Sequence, residues 1–147
     1  MVTATGRGFS VIELLAALAI FGLLAAIALP GWNRLQLSFH LSSAARLVHS
    51  ELQSLRIRSA AENEGFRLAY AAGSTNIEIQ RDGKTWAVKP LPTGVSITKA
   101  GSITFSPRGT ASANRVRLSS REGSCQQVVV SATGRVRTCK AACGGDC

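Results

Sequence analysis

A chain of 147 residues with a formal net charge of +9 has room for one compact domain beside any membrane segment, and no more. The basic excess suits nucleic acid, anionic lipid or an acidic partner, and suits a well-solvated surface equally. No internal repeat, phosphate-cradling glycine loop or metal-ligand spacing breaks the chain into other classes.

The first element is apolar. From Phe9 to Leu29 the only charged residue is Glu13. A helix over this stretch is roughly 32 Å long at about 1.5 Å per residue, enough to cross a hydrocarbon core of about 30 Å. Pro30 follows, and Trp32 has the ring type that favours a membrane–water interface. A secretory signal would use Ala26-Ile27-Ala28 as its cleavage pattern, but signal cores hold only about 7–15 apolar residues. A plain anchor explains the length and not the acid, since a carboxylate at membrane depth costs about 2.5–3.5 kcal/mol. Cleavage after Gly8 explains both. Phe9 then carries a new α-amino group near Glu13 in depth, and acid and amine neutralise each other, within a chain or between staggered neighbours.

Gly8-Phe9-Ser10-Val11-Ile12-Glu13-Leu14-Leu15 resembles the type IV prepilin signature. The resemblance implies cutting by prepilin peptidase between Gly8 and Phe9, N-methylation of Phe9, and a role for Glu13 in docking into a filament. The leader Met1–Gly8 departs from the pattern in having Arg7 as its only basic side chain, and Ser10 replaces the commoner threonine.

Beyond Pro30, Leu37, Leu41, Ala44, Val48, Leu52 and Leu55 recur at three- and four-residue steps and predict an amphipathic continuation, giving one helix over 9–61 with a bend at Pro30. After Gly65 the alternation changes to period two. Strands are expected at Phe66–Ala71, Asn76–Arg81, Thr85–Val88, Val95–Thr98, Ser102–Phe105, Arg115–Ser119, Gln126–Ser131 and Arg135–Thr138. Asp82-Gly83 marks a hairpin turn, and Pro90 with Pro92 ends a run. The fold class is therefore α+β: a long N-terminal helix packed on a C-terminal antiparallel head. Its parts are a leader (1–8), a membrane and filament-core helix (9–29), an amphipathic spine (30–61) and a globular β head (62–147).

The element order, with "ITFSPRG" (Ile103–Gly109) and "VVVSATGRVR" (Val128–Arg137), is similar to that of the GspH/FimT family of minor pilins and pseudopilins. That resemblance implies a pilin-like subunit, held in the inner membrane with its head in the periplasm and then built into a pilus or pseudopilus. Its implied partners are other pilins, prepilin peptidase and an inner-membrane assembly platform.

All four cysteines lie late: Cys125, Cys139, Cys143 and Cys147. An even count beyond an export segment predicts disulfides, and Cys125–Cys139 with Cys143–Cys147 is the expected pairing. No Cys-x-x-Cys pair supports a metal cluster. His40 and His49, on the helix, read as polar-face residues, and no active site or cofactor site emerges. The binding candidate is basic. Arg135 and Arg137 share a face if both lie in a strand, as do Arg115 and Arg117 on an earlier one. If that strand adjoins the last hairpin, the four form one stripe, and Lys140 extends it. Some family members similar to this chain bind DNA through a Gly-Arg-x-Arg motif, matched here by Gly134, Arg135 and Arg137. The competing reading takes these arginines as solubility residues on a structural GspH-like pseudopilin.

Overall fold

The computed structural model describes residues 10–140, Cys143 and Gly145, the side chains of residues 28–34 excepted. The expected cleavage and methylation site at Gly8 and Phe9, the side chains of Pro30 and Trp32, and Cys147 lie outside that set. The chain forms two compact units that divide between Leu35 and Gln36.

Helix α1 covers Val11–Glu62 and contributes to both units. Ser10 starts it: its carbonyl accepts from Glu13 N at 3.1 Å and Leu14 N at 3.2 Å. Serine suits this capping position, and a carboxylate in the first turn is favoured by the helix dipole. In the first unit the apolar side chains are exposed all round, from Val11 and Ile12 through Phe21 to Ile27. Among the described residues no helix is long and apolar enough to cross a membrane. The segment expected to do so, Phe9–Leu29, extends past the described side chains at both ends.

In the second unit α1 buries one stripe: Leu41, Ala44, Ala45, Val48, Leu52 and Leu55. Ser59 extends it, buried and satisfied by donating its hydroxyl to the carbonyls of Arg56 (2.9 Å) and Ser106 (3.2 Å). Two antiparallel four-stranded sheets complete the core. The first contains β1 (Phe66–Tyr70), β2 (Asn76–Arg81), β3 (Lys84–Pro90) and β5 (Gly101–Phe105), in the order β3-β2-β1-β5. The second contains β4 (Val95–Ile97), β6 (Asn114–Ser120), β7 (Cys125–Val130) and β8 (Val136–Cys139), in the order β4-β6-β7-β8. Alternation sends Phe66, Leu68, Ile77, Ile79, Ile103 and Phe105 inward from one sheet, and Val116, Leu118, Val128 and Val130 from the other. Each such large side chain contributes about 1.5–3 kcal/mol by leaving water. Among the described residues the buried core lies between Leu41 and Val130, inside the second unit.

The turn at Asp82-Gly83 has φ of 49° and 76°, both left-handed, and closes the β2–β3 hairpin as expected. The register slips within the hairpin, between Ile79 and Gln80: Ile79 stands opposite Ala87 and Gln80 opposite Thr85, which leaves Trp86 as a bulge. Trp86 meets Phe66 edge-on at 6.4 Å, and the Arg58 guanidinium lies 4.8 Å from its ring centre.

The expected disulfide pairing is corrected. Cys125 is bonded to Cys143, with Cα atoms 5.1 Å apart, which rules out both Cys125–Cys139 and Cys143–Cys147. The register supplies the reason. Cys139 stands opposite Gln127, two residues from Cys125, so the expected pair is diagonal. Diagonal partners lie roughly 7–8 Å apart, beyond ordinary disulfide reach. Cys139 is itself disulfide-bonded.

Candidate nucleic-acid interface

Three of the basic candidates, Arg115, Arg117 and Arg137, lie on the outer face of the second sheet. β6 does adjoin the last hairpin, through β7. Arg115 stands opposite Val129, and Val129 stands opposite Arg137. At about 4.8 Å per strand step, the two arginine backbones are roughly 10 Å apart on one face. The next row is Arg117, Gln127 and Cys139. Its centre is covered: Gln127 is fully buried and donates Nε2 to the Gly145 carbonyl at 2.7 Å. The segment that carries Gly145 is tied to the same face by Cys125–Cys143, so the row through Arg115 and Arg137 is the more open of the two.

Arg135 differs from expectation. It lies between the turn at Ala132-Thr133 and β8, outside the strand. Its carbonyl accepts from Ser131 N at 3.0 Å, and its N–H donates to Ser131 Oγ at 3.2 Å, so it remains fixed and exposed. Lys140 does not extend the row. It lines a cleft beside α1 with Ser42, Arg46 and Thr138.

Gly134 has a packing role of its own. It is buried with φ of 74°, and a Cβ there would run into the Gly109 carbonyl oxygen and stand 3.0 Å from Arg56 Nε. Ala111 N donates to the Ala132 carbonyl at 3.0 Å, and Ser59 Oγ to the Ser106 carbonyl. The two late motifs, Ile103–Gly109 and Val128–Arg137, thus meet each other against the end of α1.

One further fixed point governs β6. Tyr70, buried, donates its hydroxyl to the Arg115 carbonyl at 3.0 Å and so ties the first sheet to the second. Burial pushes its pKa from 10.0 to about 12. At the end of β2, Arg81 pairs with Glu62 (3.2 Å) and Glu64, and its pKa is raised chiefly by the hydrogen bond to Glu64. Lys89 pairs with Glu51 of α1. Sequence reasoning missed Lys99 and Asn114, which flank Arg115 and Arg117 in space. No local pattern marks Lys99, because the loop after β4 comes beside β6 only through strand pairing at a distance, and Asn114, though next to Arg115, carries no charge to single it out.

An N-terminal helix whose second half packs on antiparallel sheets is the type IV pilin-like arrangement. Residues 5–29 match the prokaryotic N-terminal methylation motif. Residues 44–134 match the family of the type II transport protein GspH, and the chain belongs to that family as a GspH/FimT-type minor pilin or pseudopilin. The solved structure of the minor pseudopilin EpsH from the type 2 secretion system of Vibrio cholerae is similar, with a TM-score of 0.60 at 11% identity, covering 69% of this chain and 97% of that one. The type IV minor pilin FimU of Pseudomonas aeruginosa is similar in two crystal forms. Its TM-scores are 0.50 and 0.51 at 15% and 17% identity, covering 66% and 67% of this chain and 86% and 91% of those chains. These likenesses establish the fold. Comparison with curated protein sequences finds no match.

Proposed function

We propose that this chain is a minor pilin of a type IV pilus that binds DNA through the outer face of its second sheet during natural transformation. Prepilin peptidase cuts between Gly8 and Phe9, and Phe9 is N-methylated. Phe9–Leu29 holds the subunit in the inner membrane with its head in the periplasm. Glu13 then guides its docking, from the assembly platform, onto neighbouring pilins near the filament tip. The observation that carries the DNA reading is the row in which Arg115 and Arg137 flank Val129 on one face, with Arg135 exposed beside it. Arginine forks match phosphate oxygens, and sequence-independent backbone contact is what such a row supplies.

If about four phosphates are contacted, log K for duplex DNA falls with log salt at a slope of roughly −3.6. Arg135→Gln with Arg137→Gln flattens that slope by about 2 and weakens binding on all sequences alike. A fluorescence titration at low salt decides. No binding by the wild-type chain, or equal binding by the double variant, ends the DNA role. The second reading is a purely structural pseudopilin of a type II secretion system. It is favoured by Gly134, whose packing against Gly109 explains the glycine without any ligand.

A further inference from the structure

A cleft of about 370 Å³ opens where the chain crosses from β4 to β5, lined by Lys99, Ala100, Asn114, Arg115 and Arg117. Three of these side chains are cationic, one is an amide, and no carboxylate is among them. An apolar ligand would find only Ala100 to cover it, whereas an anion finds charge from two elements at once.

Backbone groups and the Asn114 amide build the walls. Asn114 donates Nδ2 to the Ser102 carbonyl at 3.0 Å, and its Oδ1 accepts from Arg115 N at 2.8 Å. The Arg115 carbonyl accepts from the Tyr70 hydroxyl, and the Arg117 carbonyl accepts from Thr98 N at 3.0 Å. A Cβ at Gly101 would stand 2.8 Å from the Tyr70 hydroxyl oxygen, so glycine lets the Lys99–Ala100 loop close against the ring. Arg115 and Arg117 are half-buried, and each has a further interaction within the molecule. Half-buried arginines lose less side-chain freedom on binding than fully exposed ones.

The geometry points to this cleft as an anion site of the phosphate class, with Lys99, Arg115 and Arg117 supplying the charge and Asn114 fixing the wall between them. That the phosphate belongs to nucleic acid rests on the reading above. In that case the cleft seats one backbone phosphate, and Arg137, in the same row as Arg115, takes another.

The test uses the full chain, ¹⁵N-labelled, in nonionic detergent micelles, titrated with pyrophosphate at constant ionic strength. Saturable shifts of the Lys99, Ala100 and Arg115 amides are expected. Lys99→Gln with Arg115→Gln should weaken binding about tenfold or more, the loss of two charge-assisted contacts. Arg135→Gln with Arg137→Gln should change it less than about twofold, since neither residue lines the cleft. Shifts that do not saturate, or that survive the Lys99/Arg115 changes, overturn the site. A duplex oligonucleotide that displaces pyrophosphate supports the nucleic-acid source, and displacement by anionic lipid doped into the micelles supports the site with a headgroup as its source. Pyrophosphate binding without duplex binding leaves the site standing and removes the DNA reading. Duplex binding that leaves the cleft amides unmoved keeps the DNA reading and overturns the assignment of a nucleic-acid phosphate to this cleft.

Discussion

Gly134→Ala separates packing from binding at the Gly-Arg-x-Arg turn. The glycine has φ of 74°, and a side chain there meets the Gly109 carbonyl oxygen and Arg56. A non-glycine residue held in the left-handed region costs about 1–2 kcal/mol. Forcing a methyl group against fixed backbone adds about 1–3 kcal/mol. The total, about 2–5 kcal/mol, is a large share of the roughly 5–15 kcal/mol that stabilises a typical domain. Gly123 is the internal control: its φ is 80°, yet nothing lies within 4 Å of its Cβ position. Gly123→Ala should therefore cost only the backbone part. Urea unfolding of a chain beginning at Gln36, which retains the whole buried core, measures both variants, with the slope m unchanged and the midpoint lowered. Equal midpoints for the two variants would refute the packing role of Gly134.

Other outcomes follow from the same contacts. Peptide mapping of the oxidised protein should recover Cys125 linked to Cys143, and Cys143→Ser should lower stability by about 3 kcal/mol on the chain-entropy estimate for a loop of this size; recovery of Cys125 with Cys139 would contradict the register. Tyr70 is the chain's only tyrosine, so ultraviolet titration reports it alone: ionisation should centre near 12 rather than 10.0, and its contribution to stability should be full well below pH 10 and fall as pH rises from 10 towards 12, because only the unfolded chain ionises freely there. A midpoint near 10.0 in the folded protein would show that the hydroxyl is not buried. Glu13→Ala should leave membrane fractionation unchanged and reduce the subunit's recovery in sheared filaments; normal recovery would leave Glu13 with only its helix-start role.

Most of the fold was legible because its signals are local. Each of the eight strands falls within two residues of its expected ends, since period-two alternation and the Asp82-Gly83 turn are written in consecutive residues. The α1 stripe was equally visible, although its continuation to Ser59 was not, because a serine is buried there only by virtue of a distant carbonyl at 106. What escaped notice depends on register and pairing. The bulge at Trp86, the Cys125–Cys143 bond and the Lys99 cleft all need to know which residue stands opposite which. Arg115 and Arg137 stand out by spacing, but only the β6-β7-β8 order brings them into one row, while Lys140, an odd step beyond Arg137, falls on the other face beside α1.

The central claim, a prepilin-type subunit processed for assembly, is tested most directly by mass spectrometry of the mature chain isolated from cells that produce it. The mature chain should begin at Phe9 and carry a methylated α-amine. A chain beginning at Leu29 would show a cleaved secretory signal, and one still beginning at Met1 would show no processing; either would contradict it.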